Sequence, residues 1–149
     1  MAIISAENVE KFCKSSVPLF DFLDIKFEFL DDGVICCHLP YDRKVSNHLN
    51  SVYAGVQWSI AEVLGGIAFA ANSVPGYVPL LKSMNIEFKK PAMTDLIAQV
   101  RFSDDEALNM KQALENQGRY DFELASNVHD SNGNLVAKGL AVYAIRKMG

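Results

Sequence analysis

Apolar and polar positions along this chain fall into two alternating periods. Over residues 5–16, Val9, Phe12 and Cys13 sit at i, i+3, i+4, the spacing of a short amphipathic helix. Ile25, Phe27 and Phe29 then alternate with Lys26 and Glu28, and Asp31-Asp32-Gly33 supplies a turn, so a hairpin is expected. Cys36 and Cys37 are adjacent in its second strand and face opposite sides of the sheet, as small packing residues. A loop around 47–50 leads into an apolar helix over 54–72. Strands follow over 78–89 and 96–102. Ser103 and Glu106 then form a capping box, acids fill the first turn, and Gly118 stands where a helix C′ residue belongs. Two last strands, 119–129 and 135–146, flank the turn "DSNGN".

These elements describe an α+β fold, a curved antiparallel sheet of about six strands wrapped around one long central helix. A helix apolar all round must be buried all round, and a wrapped sheet achieves that. Two such sheets pairing at an edge would leave few free edges, so a homodimer is expected, with a dimer of dimers as an extension.

Composition narrows the classes. The 149 residues suit one domain, 1–149, with half of them apolar and about a fifth charged. The net charge is −4 and no basic run interrupts it, which argues against nucleic acid as a partner. "MAIISAENVEKF" lacks a basic stretch followed by an apolar core, so no signal peptide is read. Three cysteines without C-x-x-C spacing support neither a disulfide framework nor a zinc site, and a reducing cytoplasm is the expectation. The apolar run 56–71 is interrupted by Gln57, Glu62, Gly65 and Gly66 and falls short of the roughly 20 residues of a membrane span. No membrane insertion is expected.

Glu62 is the anomaly, a carboxylate in the most apolar helix. Gly55, Glu62 and Phe69 recur every seven positions on nearly one face, with Ser59, Gly65 and Gly66 on or beside it. Small neighbours leave room for a close backbone or a ligand. Helical side chains lean toward the N-terminus, so Glu62 points to the start of its own helix. Unpaired N–H groups and a partial positive charge there suit a carbonyl oxygen gaining negative charge. That is a workable acyl-transfer geometry. A structural carboxylate, hydrogen-bonded or paired with Lys or Arg from a neighbouring strand, fits the residues equally well.

The stretch "NHLNSVYAGVQWSIAE" resembles the helix region of hotdog-fold thioesterases, in particular the PaaI-like branch. Asn47 falls on that family's Asn, Ser51 on its Thr, Gly55 on its second Gly and Glu62 on its helix acid. The form "NHLNSVYAG" is most similar to the YiiD C-terminal-type thioesterases, as is "ALENQGRYDFEL" with its helical insertion before the fifth strand. "MNIEFKKPAMTD" is similar to the strand after the helix. Tyr53 stands where many members have His, Ala54 replaces the first Gly, and Asn50 replaces the Gly before Ser51.

The resemblance implies hydrolysis of acyl-coenzyme A or acyl-carrier thioesters. Glu62 would be general base or nucleophile, and the N–H of Ala54 or Gly55 would bind the oxyanion. Asn47, from the partner subunit's loop, would orient water or the carbonyl. Ser59 and Ser83 could assist. Tyr53 and Trp58 would pack the dimer interface or line an acyl channel. Lys82, Lys89, Lys90 and Arg43 could meet the coenzyme A phosphates. No cofactor or metal is implied, coenzyme A being part of the substrate. Two other readings share the fold. His48, 14 residues before Glu62, has a spacing similar to the His–Glu pair of hotdog 3-hydroxyacyl dehydratases. A dimer that binds acyl thioesters without turning them over is the other.

Overall fold

The computed structural model describes residues 4–72 and 74–149. Helix α1 (Ala6–Ser16) is capped by Ser5, whose side chain accepts from the Asn8 N–H, and it buries Val9 and Cys13. A short α2 (Pro18–Leu23) follows. Strands β1 (Lys26–Phe29) and β2 (Val34–Leu39) form the expected hairpin across a 3₁₀ turn at Asp31–Gly33. The long helix α3 (Ala54–Ala71) leads to β3 (Tyr77–Phe88) and β4 (Leu96–Arg101). Helix α4 (Asp104–Gln117) carries the Ser103–Glu106 capping box and ends at Gly118, whose φ of 70° is the left-handed conformation that favours glycine. β5 (Arg119–Asp130) and β6 (Leu135–Lys147) complete a six-stranded sheet in the order β1-β2-β4-β5-β6-β3, antiparallel throughout.

β2 lies near one edge of this order and β3 forms the other. Helix α3 joins them, so it crosses the sheet and packs against β2, β3, β4, β5 and β6. Its inner side (Ile60, Leu64, Ile67, Ala68) enters one core with Ile25, Leu39, Leu96 and Ile145. By length and hydropathy α3 could cross a membrane, but half of it is buried inside the protein.

Burial of α3 is incomplete along one face. Gly55 is exposed, and Ser59, Glu62, Gly66 and Ala70 are half-buried, while Ile60, Ala61, Val63, Leu64 and Gly65 are covered. The all-round burial expected from the sequence is thus not met within one chain. Gly65 also departs from its expected place beside a roomy face. A Cβ there would fall 1.9 Å from the Tyr143 ring, whereas one on Gly66 would meet nothing within 4 Å. Gly65 is small because Tyr143 of β6 packs into it. That ring also stacks on Phe122, 5.4 Å between centroids.

Candidate active site

The start of α3 is uncapped. Tyr53 occupies the N-cap position and makes no side-chain capping bond. Its carbonyl accepts from the N–H groups of Val56 and Gln57, at 3.0 and 3.1 Å. The N–H groups of Ala54 and Gly55 have no partner among the described residues. Two donors at the positive end of an apolar helix are therefore free for a ligand oxygen. The Tyr53 ring, 57% exposed, lies over Gly55, where an added Cβ would come within 2.7 Å of it.

Asn47 organises the loop in front. Its Oδ1 accepts from the N–H groups of Leu49 and Ser51, and its Nδ2 donates to Ser51 Oγ at 2.9 Å. Asn50 takes a left-handed φ of 61°, and the Tyr41 hydroxyl donates to its carbonyl. Asn47, Ser51, Ala54, Gln57, Lys89 and Lys90 share the lining of an open cleft of about 540 Å³. Glu62 is not part of that lining, so one chain does not bring Asn47 against it.

Two turns along α3, Glu62 is half-buried, and its carboxylate has neither a hydrogen bond nor an ion pair among the described residues. No neutralising cation stands beside it among the described residues. Burial pushes its pKa above the ordinary 4.5. Its neighbours register the charge. The Cys13 thiol on α1 is pushed up to about 11, first by burial and then by Glu62. Tyr143 is raised for the same two reasons, in the same order. The Tyr143 hydroxyl donates to the Glu62 backbone carbonyl, tying this stretch of α3 to the sheet.

The remaining sequence candidates are scattered. Ser59 Oγ donates back to the Gly55 carbonyl at 2.8 Å. Trp58 is half-buried one turn before Glu62. A bulge between Leu81 and Ser83 shifts the alternation of β3. Met84 and Ile86 therefore pack on the core while exposed Ser83 falls on the other face. Lys82 pairs with Asp121 at 3.1 Å and Lys89 with Glu87 at 2.6 Å. His48 is exposed and lines a shallow pocket with Arg43, Ser46, Asn47 and Asn50, which adjoins the cleft at Asn47. Gln57 escaped the sequence reading. It is only 5% exposed, its Nε2 donates to the Val52 carbonyl at 2.9 Å, and its Oε1 is buried without a partner. An amide inside an otherwise apolar helix was the available signal.

The sequence matches the model of a family described as a domain of unknown function (DUF4442) over residues 5–145. The chain belongs to the DUF4442 family. Solved structures similar to this DUF4442 chain have the hotdog fold expected from its sequence. A Pseudomonas aeruginosa protein described as a probable thioesterase superposes with a TM-score of 0.86 at 23% identity, covering 97% of both chains. A thioesterase from Haemophilus influenzae gives a TM-score of 0.79 at 16% identity, covering 98% of this chain and 93% of its own. A Halobacterium salinarum protein named as a candidate esterase is 29% identical over 86 residues. That match takes in 54% of this chain and 56% of the relative, so the DUF4442 chain spans about half the length of this curated relative.

Proposed function

We propose that this DUF4442 protein hydrolyses acyl thioesters. The observation that carries the reading is the pairing on one side of α3 of an unpartnered Glu62 carboxylate with the free Ala54 and Gly55 N–H groups. Gly55 and Glu62 lie about 10 Å apart along the axis, leaving room for a reacting carbon between them. The names of similar proteins, thioesterases in structure and an esterase candidate in sequence, favour the same chemistry.

In this mechanism the thioester oxygen points at the helix start. Glu62 takes a proton from a water, whose oxygen bonds to the carbonyl carbon. The Ala54 and Gly55 N–H groups hold the resulting oxyanion, each typically worth about 10²- to 10³-fold in turnover. The C–S bond then breaks, the electron pair leaves on sulfur, and the proton held by Glu62 returns to the thiolate. The thiol's carrier arm occupies the 540 Å³ cleft, with Lys89 and Lys90 able to meet phosphates of coenzyme A. The acyl group runs past Gly66 toward a second cavity of about 300 Å³, lined by Val9, Phe12, Phe69 and Val74. The working unit is a homodimer in which Asn47 reaches the partner's Glu62.

Thiol release from short-chain, long-chain and aromatic acyl-coenzyme A thioesters tests this, with Glu62→Gln in parallel. Turnover should fall by about a hundredfold or more in the variant. A folded wild type that releases no thiol from any of them overturns the proposal and leaves a binding protein.

A further inference from the structure

We propose that Gln57 is a positioning residue that aims the two oxyanion donors. The inference rests on the thioester-hydrolysis reading of the same site and adds a residue to it.

Gln57 grips two consecutive peptide units at the helix start, the one before the Ala54 N–H and the one that carries it. Its backbone N–H donates to the Tyr53 carbonyl at 3.1 Å, and its side-chain Nε2 to the Val52 carbonyl at 2.9 Å. In a helix that continued backward, the Val52 carbonyl would accept from the Val56 N–H. Here the Val56 N–H turns to Tyr53 instead, and the side chain of Gln57 supplies the missing donor. The same stretch is fixed from outside by the Val52 N–H on the Ala92 carbonyl at 2.7 Å and the Tyr53 N–H on the Val45 carbonyl at 2.8 Å. Every backbone polar group of Val52 and Tyr53 is therefore engaged, and the next two N–H groups emerge from a locked base. Gln57 is the one side chain in that lock.

The orphaned Oε1 supports a role beyond packing. Only the NH₂ end of the amide can face the Val52 carbonyl, so the oxygen is forced into a buried position where it has no partner among the described residues. A methionine would fill the same space without that cost, but would leave the Val52 carbonyl unbound and remove the one side-chain bond that fixes the tilt of this peptide. Donors that must already point at the oxyanion before reaction gain from such rigidity.

The test is Gln57→Met, which keeps length and volume and removes the donor. On the thioester turned over by wild type, kcat should fall by about tenfold to a hundredfold with KM little changed, the signature of misplaced transition-state donors. The Ala54 and Gly55 amide resonances in a ¹⁵N-labelled sample should shift or double. Unchanged kcat, or a loss confined to KM, overturns the proposal. So does a Gln57→Met chain that does not fold, because the glutamine would then hold the fold and not the donors. If wild type hydrolyses nothing, the thioesterase reading fails by itself. The amide resonances then decide this one, and identical spectra for both proteins overturn it.

Discussion

Glu62 is held where ionisation is disfavoured, and this has consequences for both activity and stability. Burial without a cation raises its folded pKa above the ordinary 4.5. The folded state then binds the proton more tightly than the unfolded one. Its contribution is fully present below the unfolded pKa and is lost as pH rises through the folded value. Above its unfolded pKa the wild type carries that penalty, and Glu62→Gln does not. The variant's urea midpoint should exceed the wild type's at pH 7, with the gap closing as pH falls through about 4.5. The acid limb of hydrolysis should also lie above the usual carboxylate range, since only the ionised form can take a proton from water. The sequence made Glu62 conspicuous through its apolar surroundings. It left open whether a lysine or arginine waited on a neighbouring strand, because pairing depends on residues far away in the chain. Asn47 shows the same limit in the other direction. Its bonds to Ser51 and Leu49 are local, and the alternative of an Asn bonding its own loop was readable from the loop itself.

The adjacent glycines of α3 do opposite things. Gly65 admits the Tyr143 ring, which is 2% exposed and stacked on Phe122. Gly65→Ala should therefore destabilise by about 1–3 kcal/mol or more, the range for overpacking a filled core. Gly66→Ala meets open space and should stabilise by about 0.5–1 kcal/mol through helix propensity, while narrowing the path proposed for the acyl group. Thermal melts of the two variants side by side check the contrast. At this scale the sequence was most informative where signals are local: the capping box of α4, the turn before β2 and the alternation in β1. It was least informative where they are not. Helix α2, six residues with Pro18 at its first turn, is too short for a periodic pattern. The Gly65–Tyr143 contact joins positions that no local pattern relates.

The whole sheet ends in an unguarded edge. Among the described residues β3 pairs with β6 alone, exposes Leu80 (51%) and Phe88 (47%), and has no strand beyond it. Long edges of this kind invite pairing with another chain, which makes β3 the edge at which a second copy would add. Sedimentation velocity should show a dimer for wild type, and Leu80→Lys with Asn85→Lys should shift it to monomer while preserving the far-UV circular dichroism spectrum. The overall architecture was legible because six strand signals surround one helix that needs burial. The strand order was not, since it depends on pairings between distant segments. That order has a consequence for synthesis. β6 is the last strand in the sequence and sits between β5 and β3, so β3 has no in-chain partner until residues 135–147 are made. During translation a twelve-residue strand must wait unpaired, and the helix before it only partly covered, while roughly fifty further residues emerge at about 5–20 residues per second. The nascent chain is thus open to wrong pairings for some seconds, and a ribosome stalled before β6 would hold the protein in its most aggregation-prone form.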